Sequence, residues 1–215
     1  MAITLDGTTG ISSVDGSASS PSVRGSDSNS GIVYAADAIK FSTGGTERVV
    51  IDNNGLNPAG HILQVKQTVN SAQASDSLTV NTWDDIAGLS VSITPVATSS
   101  KILVSYKAAV SSTKGGYTTY LQIVRGSTAV GIGDATGGRP RVTTYIATGA
   151  TDYSIEHHTN MFLDSPSTTS ATTYKLQWMS SYSGQTFYLN RSINNTDGIH
   201  YPTQMSQITV MEVGG

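Results

Sequence analysis

The chain has 215 residues, of which 37% are hydrophobic and only 13% charged, with 12 basic against 15 acidic side chains and a net charge of −3. Duplex binding draws its affinity from neutralised phosphates, and no basic run here exceeds Arg139-Pro140-Arg141, so nucleic acid is not expected as a partner. Cysteine is absent, which removes thiol catalysis and disulfide staples and suits a reducing compartment, and no apolar run reaches membrane-spanning length, so no membrane insertion is expected.

The opening MAITLDGTTG has neither a basic n-region nor an apolar core, so no secretion signal is expected there. Asp6 to Gly31 reads DGTTGISSVDGSASSPSVRGSDSNSG. Taken alone, such a segment buries too little apolar surface to offset its ordering entropy. It is either a flexible tail or a thread ordered by lying on a partner. Residues 32–54 differ. Ile32, Tyr34 and Ala36 share one parity, and Ile39 and Phe41 form a second set. Gly44 and Gly45 in GGTER predict a tight turn with positive φ, VVID predicts a returning strand, and NNG closes it. An isolated two-stranded hairpin is marginal in water, so this segment needs a docking surface. Sister copies around a common axis supply one, with Ile32, Tyr34, Ile39, Phe41, Val49 and Ile51 as the candidate shared core of a trimeric stem. Leu56–Gly60 reads as a linker, which divides the chain into residues 1–60 and 61–215.

From His61 onward strand-like runs recur between turn signals: HILQVKQTVN, then SLTVNTWDDIAGLSVSITP as two strands broken at Ala87-Gly88, then KILVSYKAAV. The last has clean period-two alternation, with Ile102, Val104, Tyr106, Ala108 and Val110 on one face and Ser105 and Lys107 opposite. YTTYLQIVRG, TAVGIGD, RVTTYIATG, SIEHHTNMFLD, ATTYKLQWMS, TFYLNRS and MSQITVMEV follow. Roughly ten short strands without an amphipathic helix predict an all-β sandwich or jelly roll.

Chemistry is sparse. VGIGDATGG at Val130–Gly138 resembles a phosphate loop, but a strand-like RPRVTTYI follows where a helix is needed, so a loop of tight turns is expected. In IEHHTNM, His157 shares parity with Ile155, Met161 and Leu163 and is expected to face the core, with His158 on the polar side beside Glu156. Two ligands fall short of a zinc site unless a threefold axis multiplies them, and no metal or other cofactor is expected. Asp84, Asp85, Asp134, Asp152, Asp164 and Asp197 show no spacing that favours paired carboxylates for glycoside hydrolysis, and no serine sits in a nucleophile elbow, so no enzyme is expected. Tyrosine is the commonest aromatic, at 10 against 3 Phe and 2 Trp. Tyr182 and Tyr201 lie in turn-like contexts near Gln185, Asn194, Asn195 and His200, which together form the candidate receptor-binding set. Such residues stack on and hydrogen-bond glycans; equally, tyrosines cap sandwich edges and subunit interfaces.

These residues carry a resemblance. SGIVYAADAIKFSTGGTERVVIDNNG is similar to a recurring segment in tail fibres and tailspike collars of tailed bacteriophages, through Gly44, Gly45, Thr46, Glu47, Arg48, Ile51, Asp52, Asn54 and Gly55. ILQVKQT, LSVSITPVATSSKILV, RGSTAVGIGD, FLDSPSTTSATTYKLQ, YLNRS and ITVMEV resemble C-terminal domains of phage structural proteins, often marine and cyanobacterial ones. The resemblance implies a homotrimer assembled in the host cytoplasm into the virion. Residues 1–60 would be the attachment arm and stem, docking to other virion proteins. Residues 61–215 would be a receptor-binding head for host-surface glycan or protein. One copy of GGTER implies a short shaft, and the lack of a long β-helix argues against a depolymerising tailspike. A short tail fibre, a capsid decoration protein and a head fibre all fit this pattern.

Overall fold

The computed structural model describes residues 5–6, 10–11, 15–53, 55–56, 60–113, 118–147 and 153–215. Among them all regular structure is β-strand, and no helix occurs. The strands are β1 (Leu5–Asp6), β2 (Gly10–Ile11), β3 (Val23–Arg24), β4 (Gly31–Ala35), β5 (Ala38–Thr43), β6 (Thr46–Asp52), β7 (Gly55–Leu56), β8 (Ile62–Asn70) and β9 (Ala74–Ser77). They continue with β10 (Asp84–Ile93), β11 (Lys101–Ser112), β12 (Thr118–Arg125), β13 (Thr128–Val130), β14 (Thr144–Ala147), β15 (Glu156–Asp164), β16 (Thr172–Ser180), β17 (Thr186–Leu189) and β18 (Ser206–Val213). The chain divides into two compact units, one of Met1–Leu63 with Val213–Gly215 and one of Gln64–Glu212.

The first unit holds an antiparallel sheet in the order β3-β4-β5-β6-β7. Gly44 and Gly45 have φ of 59° and 74°, as a tight two-residue hairpin turn requires. The run read as a single strand, Ile32 to Ser42, instead breaks at Ala36-Asp37 into β4 and β5. Asp37 takes φ 56°, a left-handed conformation that Asp tolerates better than most residues. The parity change between Tyr34 and Ile39 is the imprint of that turn. Of the stretch before the sheet, Asp15 bridges to Tyr34 and Pro21 is buried. Asn54, in the closing NNG, lies outside the described residues, as do residues 57–59 of the expected linker.

The second unit is a sandwich of two sheets. In one, β12 has β16 and then β10 on one edge, while β13 and β14 share the other. The second sheet runs β8-β18-β11, with β17 and β9 beyond. Val110 pairs with both Glu156 and Leu189, so β15 and β17 take opposite edges of β11. The inner faces form one core that includes Ile102, Val104, Tyr106, Ala108, Val110, Leu121, Tyr174, Trp178 and Phe187. The Trp178 and Phe187 rings meet across it at 5.5 Å.

Two sequence expectations change here, at Ala87-Gly88 and on β15, while the loop after Val130 keeps the form expected. Ala87-Gly88 does not end a strand: β10 runs through it with a register shift between Asp85 and Ser90, and Gly88 at φ 77° leaves room for Asn70. The loop after Val130 leads back to the same edge of β12, so it joins β13 to β14 and holds no helix start. β15 faces opposite to expectation. Its register sets His158, Phe162 and Asp164 against the inward Ala108, Val104 and Ile102, which leaves His157, Met161 and Leu163 outward. The inward polar groups are largely served. Asp164 accepts from Arg125 Nη1 and the Tyr174 hydroxyl, both at 2.7 Å, and Asn160 Nδ2 donates to the Thr143 carbonyl at 3.1 Å.

Candidate functional site

Two surfaces concentrate the residues singled out by the sequence. The first is one face of the N-terminal sheet. Cross-strand partners project to the same side of a sheet. The register Val23↔Ile32↔Phe41↔Val49 makes one apolar row, and Tyr34↔Ile39↔Ile51↔Leu56 makes the next. All six stem candidates therefore lie on one face. Tyr34, Ile39, Phe41 and Ile51 are each 39–41% exposed there. The opposite face differs in kind: Val33 and Ser42 are buried, and Lys40 pairs with Glu47 at 2.8 Å. A bulge beside Phe41 takes up Arg48, which keeps Val49 and Ile51 in phase with the apolar rows.

The second surface is a loop from Asn190 to Gln204. Asn190, at φ 61°, anchors its base. Its backbone N–H donates to the Ala109 carbonyl at 2.9 Å, and Nδ2 donates to the Asn70 and Ala72 carbonyls at 2.8 and 2.9 Å. Its Oδ1 accepts from Ser206 Oγ at 2.6 Å, and Gln204 N–H closes the loop onto the Asn190 carbonyl at 3.0 Å. A compact loop with adjoining ends results. Within it Asn194 accepts from Ser192 and Thr196 hydroxyls and donates Nδ2 to the Tyr201 hydroxyl at 3.3 Å. Tyr201 N–H donates to the Gly198 carbonyl at 3.0 Å, and this turn lifts Ile199 to 92% exposure. Tyr153, from a distant part of the chain, sets its ring 5.3 Å from Tyr201 and 6.0 Å from His200.

The loop thus gathers Asn194, Asn195, His200 and Tyr201 of the sequence-predicted set, and adds Tyr153 and Ile199, which the sequence reading missed. Gln185 does not join them. It is fully buried, accepting from Ser180 Oγ at 2.7 Å and donating to Ser112 Oγ at 2.9 Å, so it braces the core instead of meeting a ligand. Tyr182 is exposed on a separate turn between β16 and β17.

Two of the carboxylates, Asp85 and Asp164, have structural work. Asp85 takes Lys175 and Gln177 at 2.7 Å each; burial pushes its pKa up, but these two bonds and the Lys175 charge together outweigh it and hold the carboxyl below its usual value. Burial first, then the adjacent Asp164 carboxylate, raises the Tyr174 hydroxyl far above its usual range, so it stays a donor. Asp152 lies outside the described residues. Among those described, no three His, Asp or Glu side chains gather where a metal ion would sit.

No family model matches the sequence and no curated protein matches it. Among solved structures, the chain is similar at 12% identity to a chain of the infectious bursal disease virus Gx strain, with TM-score 0.42, covering 90% of this chain and 43% of that one. It is similar at 10% identity to the infectious bursal disease virus VP2 subviral particle, with TM-score 0.38, covering 85% and 52%. A third similarity, at 6% identity and TM-score 0.33, is to latent PorU from Porphyromonas gingivalis, covering 73% and 13%. The chain spans about half the length, or less, of the solved chains it matches.

Proposed function

We propose that this chain is a structural protein of a virion, a short trimeric tail fibre whose N-terminal unit joins three copies and docks to the particle. The larger unit presents the Asn190–Gln204 loop to the host surface. The observation that carries the reading is the one-sided N-terminal sheet. Its two apolar rows, from Val23 to Leu56, stand open on a sheet whose other face is already covered or ion-paired. Contiguous exposed apolar surface of this kind marks an interaction site. Covering each half-exposed Ile or Phe contributes on the order of 1 kcal/mol. Three identical faces around an axis satisfy one another. The sequence likeness to phage fibre segments supports the same assembly. In the larger unit, an aromatic cluster braced by Asn194 suits stacking on a sugar ring or an apolar receptor patch. Three weak contacts then add through avidity.

Light scattering of the purified chain tests the trimer. A mass of about three times 22.4 kDa is expected. The double variant Ile39→Asp/Phe41→Asp is expected to give a monomer that keeps the near-ultraviolet dichroism of the larger unit. A monomeric parent protein overturns the reading. Labelled trimer is expected to coat susceptible host cells, and Tyr201→Ala to reduce that coating at least tenfold. Binding to empty capsids with host adsorption unchanged would replace the tail fibre by a capsid decoration protein.

A further inference from the structure

At one end of the sandwich β12 and β15 finish and β16 begins, and a cleft of about 340 Å³ opens among them. It lies between the β12–β13 turn, with Arg125 and Gly126, and the β15–β16 connection, with Pro166 and Thr168. The first residues of β16 line it as well. A volume of this order stands at the lower end of the range for small-molecule sites. None of the lining residues is acidic, and Arg125 alone among them is charged.

Arg125 is held there as a fixed donor. It continues the inward parity of Leu121 and Ile123 on β12, which brings its guanidinium to the buried Asp164 of β15. Nη1 donates to Asp164 Oδ2 at 2.7 Å, and the Tyr174 hydroxyl donates to the same oxygen at 2.7 Å. Gly126 N–H ties the turn to the Thr173 carbonyl at 2.8 Å. Among the described residues Arg125 has no second acidic partner, and its side chain keeps 28% of its surface open where that of Asp164 keeps 7%. A guanidinium carries more N–H donors than one carboxylate oxygen can take, in a planar fork that matches a second carboxylate. Because the fork is already fixed, a ligand does not bear the cost of ordering it.

The surroundings narrow the ligand. The Asp164 charge offsets that of Arg125, so the cleft favours a single negative charge over a phosphate dianion. Hydroxyl groups stand beside it. Thr168 Oγ1 accepts from the Ser170 N–H at 3.0 Å and keeps its own O–H to donate. Thr172 Oγ1 donates to the Ser170 carbonyl at 3.0 Å and keeps lone pairs to accept. Pro166 and Ala171 add small apolar surfaces. A carboxylate, ring hydroxyls and a C–H face occur together in a uronic acid.

We propose that this cleft binds a uronic acid unit of an acidic polysaccharide, with its carboxylate on the Arg125 fork and its hydroxyls on Thr168 and Thr172. The site is distinct from the Asn190–Gln204 loop: Asp164 pairs with Ile102 near the start of β11, whereas Asn190 bonds Ala109 toward the other end of that strand. It does not depend on the trimer.

Calorimetric titration of the full-length chain with a galacturonic acid trisaccharide tests the site. The matching neutral galactose trisaccharide, acetate and a glutamate-rich peptide serve as comparison ligands. The acidic sugar is expected to bind about tenfold more tightly than the neutral one, as a charge-assisted bidentate pair implies. Arg125→Lys keeps a charge beside Asp164 but loses the fork, and is expected to weaken binding about tenfold. Should that variant disturb folding, Ala171→Phe crowds the cleft, leaves the Arg125–Asp164–Tyr174 group in place and is expected to weaken binding equally. No binding of the acidic sugar, or binding that Ala171→Phe leaves unchanged, would overturn the site. Neutral sugar bound as tightly would remove the role of the carboxylate, acetate bound as tightly would remove that of the sugar, and peptide bound instead would make the occupant a protein; each overturns the proposal.

Discussion

Two buried residues on β15 show how side chains placed against their type are accommodated. Asp164 is almost fully buried, yet its carboxylate meets the Arg125 guanidinium and the Tyr174 hydroxyl. Removing one member of such a group leaves the others desolvated and unpaired. Asp164→Ala is expected to cost about 3 kcal/mol, softened because Arg125 reaches water, and a urea titration measures it. His158 is buried with Nε2 lacking a hydrogen-bond partner among the described residues. Burial, and then the charge of His157, lower its pKa from 6.5 to about 4. The folded ring therefore stays neutral where the unfolded one takes up a proton. Its contribution is complete above pH 6.5 and is lost as pH falls toward about 4, below which both forms are protonated. The loss is expected to reach about 3 kcal/mol. Denaturant midpoints from pH 7 to 4 should show this slope, and His158→Leu should flatten it.

Strands and turns hold their places through a few backbone positions. Gly131 ends β13 with φ 60°, and a Cβ there would lie 2.9 Å from the Phe162 ring. Left-handed strain of about 1–2 kcal/mol and the clash both oppose a side chain. Gly131→Ala is expected to destabilise by about 2–3 kcal/mol. Pairing it with Phe162→Leu should recover the clash part, as a double-mutant cycle by thermal melting would show. At Asp37 the left-handed turn residue has no such neighbour requirement. Asp37→Gly is expected to be neutral within about 0.5 kcal/mol and Asp37→Val to cost about 1–2 kcal/mol, read from denaturant midpoints of the full chain.

At the scale of the whole chain, the two units are expected to differ in how they melt. The core of Gln64–Glu212 is internal to that unit, running from Leu78 to Val210. A fragment of residues 61–215 is therefore expected to unfold in one cooperative, concentration-independent calorimetric transition. The N-terminal sheet keeps an apolar face open, so melting of the full chain should gain a second, concentration-dependent transition.

What was legible in the sequence follows from local periodicity. The common face of Ile32, Tyr34, Ile39, Phe41, Val49 and Ile51 needed the turn at Ala36-Asp37 and the bulge at Arg48, whereas the inward set on KILVSYKAAV and the Gly44-Gly45 hairpin come from local spacing alone. The all-β class was legible for the same reason. The orientation of β15 was not, because His157, Met161 and Leu163 alternate as cleanly as His158, Phe162 and Asp164; only pairing with β11 chose between them. The places of Gln185 and Tyr153 were not legible on the same ground. A polar residue in a turn was drawn inward by Ser180 and Ser112, and a tyrosine far along the chain was brought onto Tyr201. Period-two alternation specifies that a strand has two faces, and it takes the neighbouring strand to decide which of them meets the core.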